Sequence, residues 1–204
     1  MARKPYARGR ASQERILDTA LETIGSKGFG ATSLADIASQ VDMTPAGLLH
    51  HFGSKENLFV EVLRRRDDVD RQRLGGPGED DLPLTLRIAR NNVTEPGLIQ
   101  LYVNLAAAAE NTEHPAHEYF RERYALIRHR VTRDIEVRQS LGHFDPNVDA
   151  AAIATMLIAL SDGLQAQWAI DSKVDLFGTL LTFWNSFTTA DTDNSAKPLR
   201  TSSS

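Results

Sequence analysis

The stretch Thr32–Leu58, TSLADIASQVDMTPAGLLHHFGSKENL, decides how the rest of this 204-residue chain is read. Leu34, Ile37, Ala38 and Val41 recur at spacings of three and four, so their side chains share one helical face. Ser33 stands as the N-cap of that helix, and Asp36 three positions on makes something close to a capping box. Asp42 and Met43 form a turn. Thr44 then caps a second helix, because Pro45 fits the first helical position, where its missing N–H costs nothing. Leu48 and Phe52 lie one turn apart and pack inward. Ala46, Gly47, Leu49, His50 and His51 are left pointing out, and Ser54 caps a third helix that begins at Lys55.

Two short helices joined by a tight turn predict a helix-turn-helix, whose second helix enters the DNA major groove. That groove is about 12 Å wide and admits one helix, so small outward residues such as Ala46 and Gly47 let the backbone come close. Thr44, Pro45, Ala46, Gly47, Leu49, His50 and His51 are therefore the candidate groove-facing residues. The Lys55 ammonium can reach a phosphate while the N–H groups of its helix start point the same way.

The chain resembles the TetR family of transcriptional repressors. Phe29, Thr32, Ser33, Ile37, Ala38, Val41, Thr44, Leu48, His51, Phe52, Lys55 and Leu58 stand where that family's N-terminal domain has such residues. The resemblance covers about 50 residues closely and the rest only in helix count and order. It implies phosphate contacts from Thr32, Ser33, His51 and Lys55. Two positions depart from the family pattern. Asp42 replaces the usual glycine of the turn and must adopt the left-handed conformation at some strain. Leu49 replaces the usual phosphate-contacting tyrosine, so that hydrogen bond is absent.

The net charge of −4 conceals a division along the chain. Residues 1–66 hold 10 Lys/Arg against 7 Asp/Glu, whereas residues 67–204 hold 13 against 20. A polyanion would be attracted to one end and repelled by the rest. With 41% hydrophobic and 25% charged residues, the composition is that of a globular protein with one large or two modest cores. The absence of cysteine excludes a disulfide scaffold and any thiolate chemistry. No apolar run approaches the roughly 20 residues that span a bilayer, and the basic N-terminus lacks the hydrophobic stretch of a signal peptide, so a cytoplasmic protein with no membrane partner is expected.

Arg3, Lys4, Arg8 and Arg10 give the first ten residues a basic character without an acidic residue. They read either as a disordered tail that aids solubility or as an arm along phosphates or in a minor groove, with Arg8 and Arg10 nearest the first helix. That first helix is expected from Ser12 to Lys27, on the stripe Ile16, Leu17, Ala20, Leu21 and Ile24, with Gly28 as its stop. A helix from Lys55 to about Arg73 should turn Leu58, Phe59 and Val62 inward, with Arg64, Arg65 and Arg66 on a solvated face. The resemblance implies that this helix links two domains and carries a ligand's effect to the DNA end.

LGGPGEDDLP, residues 74–83, is the clearest breaker segment. Helices are predicted beyond it over 84–93, 96–110, 115–141, 146–170 and 174–188, and no stretch alternates as a strand does. The fold is thus expected to be all-α: residues 1–52 a helix-turn-helix unit with its arm, 53–189 a helical ligand-binding and dimerisation domain whose 53–73 helix connects the two, and 190–204 a disordered tail. Ile153, Leu157, Leu160, Leu164 and Trp168, then Leu176, Phe177, Leu180, Leu181, Trp184 and Phe187, form core stripes. Ala151, Ala154, Ile158, Ala159 and Gln165 leave the 146–170 helix apolar on much of its remaining surface, which a partner subunit's helices would cover. The resemblance implies such a homodimer, and a twofold pair predicts an inverted-repeat, pseudo-palindromic site on double-stranded DNA.

Tyr102, Phe120, Tyr124, Ile127, Met156 and Trp168 are candidates for the pocket that the resemblance implies, although each also reads as plain core. Such a lining would take a small hydrophobic or amphipathic effector. His114 and His117 beside Glu113 and Glu118 could suggest a metal, but Pro115 between them marks a solvated helix start. No triad is placed around His50 or His51, and GSKGFG, residues 25–30, lacks the spacing of a phosphate loop. Neither catalysis nor a cofactor is expected. The rival reading is a helical ligand-binding or scaffold protein that uses no DNA.

Overall fold

In the computed structural model, residues 4–75 and 82–189 are described, with residues 4–8 as backbone only. They form α1 (Lys4–Lys27), α2 (Leu34–Gln40), α3 (Pro45–Phe52), α4 (Lys55–Leu74), α5 (Leu84–Asn92), α6 (Pro96–Ala108), α7 (Ala116–Ser140), α8 (Ala150–Ile170) and α9 (Leu176–Asn185). The all-α expectation holds. The extended pairing among the described residues is one isolated bridge, Phe144 with Thr188, which ties the chain after α9 to the turn after α7. No helix among the described residues is long and apolar enough to cross a membrane.

α1 starts at Lys4, ahead of the expected Ser12. Pro5 sits in the first turn, where no intrahelical N–H is needed, and Ala7 and Ala11 favour the helix enough to carry it through Gly9. The basic residues are therefore not an extended arm from Lys4 onward. Ile16, Leu17, Ala20 and Ile24 are buried as the stripe requires. Gly28, at φ 87°, ends α1 with its N–H donating to the Ile24 carbonyl, as expected of a left-handed stop.

Two cores divide the molecule. The first gathers α1–α4 and continues into Leu98, Leu101 and Leu105 of α6 and Tyr119 and Phe120 of α7. The second is built on Leu86, Ile99, Val131, Ile135, Phe144, Leu157, Leu180 and Trp184. α6 serves both, since Leu98 faces one core and Ile99 the other. Residues 190–204 lie outside the described residues, as do residues 76–81 of the breaker segment.

Arg66 departs from the expected solvated face. It is 7% exposed, its guanidinium donates to Asn92 Oδ1 at 2.7 Å, and Asp70 lies 3.9 Å away. Burial depresses the Arg66 pKa and raises that of Asp70. The reason is register: residues 58, 59, 62, 63, 66 and 70 follow one helical face, and the charge run crosses it. Arg64 and Arg65 remain outside, paired with Glu122 and Asp18.

Candidate nucleic-acid interface and effector cavity

The helix-turn-helix is held by local chemistry at each corner. Ser33 Oγ accepts the Asp36 N–H at 3.1 Å, and the Asp36 carboxylate accepts the Ser33 N–H at 2.9 Å, closing the capping box. The bonds from Ser33 and an ion pair with Lys27 hold the Asp36 carboxyl far below the usual carboxylate range. Asp42 takes φ 56°, the left-handed turn that its position demanded. Thr44 Oγ1 accepts the Gly47 N–H at 3.0 Å, with Pro45 in the first turn of α3. Gly53, at φ 81°, ends α3, and Ser54 opens α4 by accepting the Asn57 N–H.

These corners fix which side of α3 is free. Leu48 is fully buried. Thr44, Pro45, Ala46 and His50 are exposed, while Gly47, Leu49 and His51 are half-buried. Leu49 leans on the first core, and the His51 carbonyl accepts the Gln13 amide at 3.2 Å, which anchors α3 to α1. Lys55 is exposed, its ammonium 5.5 Å from the Phe59 ring centre. Ser33, the N-cap of α2, is exposed. Thr32 is only 7% exposed, and its hydroxyl donates to the Gly28 carbonyl at 2.8 Å. Arg10 is exposed and paired with Glu14, whereas the Arg8 side chain lies outside the described residues.

A cavity of about 660 Å³ opens between α4, α5, α7 and α8. α4 supplies Asp67 and Arg71, α5 supplies Arg87, Ile88 and Asn92, and α8 supplies Ile158, Ser161, Asp162 and Gln165. α7 contributes one face from Arg123 through Ile127, Arg130 and Val131 to Asp134 and Arg138. Of the six residues expected at the pocket, Ile127 lines it. Tyr102, Phe120 and Tyr124 pack ring against ring beside it. Trp168 packs on the second core, and Met156 is 52% exposed.

A polar network that apolar patterning did not reveal joins the cavity lining to tyrosines outside it. Tyr102 and Tyr124 donate to the two oxygens of Asp162 at 2.7 and 2.6 Å. Tyr119 donates to Asp67, which also takes the Arg123 guanidinium, and Arg123 reaches the Tyr102 hydroxyl at 3.2 Å. Burial raises the pKa of Tyr102 and Tyr119 and pushes Tyr124 up to about 12, so all three hydroxyls stay protonated donors at neutral pH. One sequence signal pointed here: Asp162 is the sole charged residue between Ala150 and Ile170.

His114 and His117 turn their rings to the backbone. His114 Nδ1 accepts the Ala116 N–H, and His117 Nδ1 lies 2.9 Å from the Ala109 carbonyl. On α8, Ala154, Ile158 and Gln165, expected on a face for a partner subunit, are buried within the chain, because α6, α7 and α9 surround more of α8 than the stripe suggested. Ala151, Thr155, Met156 and Ala159 remain exposed.

Comparison with known proteins agrees with this geometry. Residues 16–62 match the family model described as bacterial regulatory proteins of the tetR family. Residues 88–177 match that of the BetI-type transcriptional repressor C-terminal domain. The transcriptional regulator BetI of Agrobacterium fabrum is 29% identical over 167 residues, covering 78% of each chain. A putative transcriptional regulator from Saccharomonospora viridis, solved in complex with choline, shares the fold at a TM-score of 0.65 and 24% identity, over 88% of this chain and 99% of that one. A TetR regulator from Haloarcula marismortui superposes at a TM-score of 0.73 with 15% identity, over 88% and 100%. With its helix-turn-helix and its C-terminal helices each matched in place, the chain belongs to the TetR family of bacterial transcriptional regulators.

Proposed function

We propose that this chain is a homodimeric repressor that reads an inverted-repeat operator through α3 and releases it when a small amphipathic molecule fills the cavity between α4, α5, α7 and α8. It acts by binding, in the cytoplasm where its DNA lies, and not by catalysis. The observation that carries the reading is the disposition of α3: Leu48 is sealed in the core while Thr44, Pro45, Ala46 and His50 stand in solvent. Ser33, His51 and Lys55 flank that surface and serve as phosphate contacts. Thr32 acts from within, holding the end of α1 against the start of α2. Residues 1–52 form the DNA-reading unit, 53–189 the effector and dimer body. α4 touches both sides: Lys55 borders the DNA surface and Asp67 the cavity. The exposed face of α8 around Ala151, Thr155 and Ala159, with α9, supports pairing with a second copy.

The test is a gel shift of the full chain on the DNA beside its own coding region. A specific complex carrying two copies per site is expected. A chain that binds this DNA no better than a scrambled duplex would overturn the reading.

A further inference from the structure

The exposed side of α3 lacks the side chains that usually pair with bases. At about 3.6 residues per turn, Ala46 and His50 lie one turn apart and opposite Leu48. The burial agrees, for Leu48 is fully buried while Ala46 and His50 are exposed. Gly47 and Leu49, both half-buried, flank that pair on either side. α3 reads PAGLLHHF and so carries no Arg, Lys, Asn, Gln, Asp or Glu. Those are the residue types that pair by hydrogen bonds with guanine, adenine and cytosine in the major groove. The first turn instead exposes the Pro45 ring and the Ala46 methyl. Thr44 uses its oxygen to accept the Gly47 N–H at 3.0 Å, which leaves its methyl and one O–H at the helix start.

Such a surface selects by methyl groups. In the major groove thymine presents a C5-methyl, and alanine and threonine methyls are among its ordinary partners. Gly47 puts no side chain between α3 and the groove floor, so Ala46 can reach that methyl. Hydrogen-bond selection at the centre of this face falls to His50. Leu49 has no polar side-chain atom, and His51 is half-buried with its ring beside that of Phe52. An imidazole offers an N–H donor whichever tautomer it takes. Guanine answers it with two neighbouring acceptors, N7 and O6, whereas adenine sets a donor beside its N7. His50 stands one turn, about 5.4 Å, beyond Ala46 along the helix, and base pairs are spaced by about 3.4 Å.

We propose that α3 reads each half-site through thymine methyls met by Pro45 and Ala46, and that His50 donates to a guanine within about two base pairs of that thymine. This rests on the reading that α3 enters the major groove. It names the chemistry of the DNA that the chain selects, and it makes His50 the specificity-determining residue for the guanine.

The experiment starts from the duplex that the full chain selects from a random-sequence pool. Affinity is then measured on versions of that duplex altered symmetrically in both half-sites. Each thymine in turn is replaced by uracil, which removes the C5-methyl, and each guanine by 7-deazaguanine, which replaces the N7 acceptor by C–H. At least one uracil replacement should weaken binding roughly tenfold, since a buried methyl is worth about fourfold in each half-site. Ala46→Gly should make that replacement silent. One guanine within about two base pairs should also lose roughly tenfold on replacement. His50→Ala should erase that second loss and leave the first in place. If no sequence is selected, the groove reading falls and this assignment with it. If a sequence is selected but no thymine responds to uracil, or Ala46→Gly leaves the uracil loss intact, methyl reading by α3 is overturned while the groove reading stands. If no guanine responds, or its loss persists in His50→Ala, the assignment to His50 is overturned. The two replacement scans on the wild-type chain decide the chemistry however the variants fold.

Discussion

Gly97 lies directly against the carbonyl of Ile24, so that a Cβ at position 97 would collide with that oxygen and stand 2.8 Å from Gly28 Cα. The contact seats the first turn of α6 on the last turn of α1, and it joins the unit carrying α3 to the helices around the cavity. Backbone meets backbone there, so neither side can yield by a change of rotamer. Gly97→Ala should therefore destabilise the chain by about 1–3 kcal/mol, the usual cost of forcing an extra carbon into a packed seam. Urea denaturation measures it, and a midpoint equal to wild type would show that the seam is softer than its geometry.

Gly47 tests the groove-facing surface. A Cβ there would stand 3.2 Å from Thr44 Oγ1, the atom that caps α3. A bulky replacement such as Gly47→Leu should abolish specific DNA binding and lower stability by no more than a lost cap, about 1 kcal/mol. Retained operator affinity in a gel shift would mean that another side of α3 meets the DNA.

Lys55 is exposed at the start of α4, with its ammonium over Phe59. Lys55→Ala should weaken binding to all DNA sequences alike and reduce the salt slope by about one unit or less. Titrations at several salt concentrations give the slope directly; an unaltered slope removes Lys55 from the phosphate contacts.

Asp36 makes acid stability a readout of the α2 cap. Its carboxyl is depressed in the fold by Ser33 and Lys27. A depressed carboxylate contributes stability that is present above its unfolded pKa of about 3.9 and lost as pH falls toward the folded value. Asp36→Asn should consequently lower stability at neutral pH and flatten the loss between about pH 5 and pH 2. Thermal melts across that range on both proteins would show parallel curves if the cap were not the cause.

The helix-turn-helix was legible because each of its corners is decided within four residues: Ser33 with Asp36, Asp42 in the turn, Thr44 with Pro45, Ser54 before Lys55. Local hydrogen bonds and backbone preference settle such features without tertiary help. The helix order beyond residue 84 was legible for a similar reason, proline and hydrophobic period marking where helices begin. The start of α1 was not, since the charged residues before Ser12 carry no apolar stripe and only their backbone propensity extends the helix.

The cavity was legible least. An apolar or aromatic residue on a helix reads the same whether it fills a core, as Phe120 does, or faces an opening, as Ile127 does, because the difference lies in which helices cross nearby. The polar side of the cavity arises from residues far apart in the chain, Asp67, Arg123 and Asp162, and no spacing rule connects them. Arg66 was misplaced for a different cause: it shares the buried face of Leu58, Phe59, Val62 and Leu63, and reading the arginine run as one solvated block overrode that register, while only its partner Asn92 is distant in the chain.

The most direct measurement of the central claim is selection of bound fragments from sheared genomic DNA by the full chain, followed by footprinting of the selected site. The account predicts a shared inverted repeat whose half-sites are centred about one or two helical turns apart, protected by wild type and left unprotected by Gly47→Leu. Fragments with no common sequence, or a shared site without twofold symmetry that Gly47→Leu protects equally well, would contradict it.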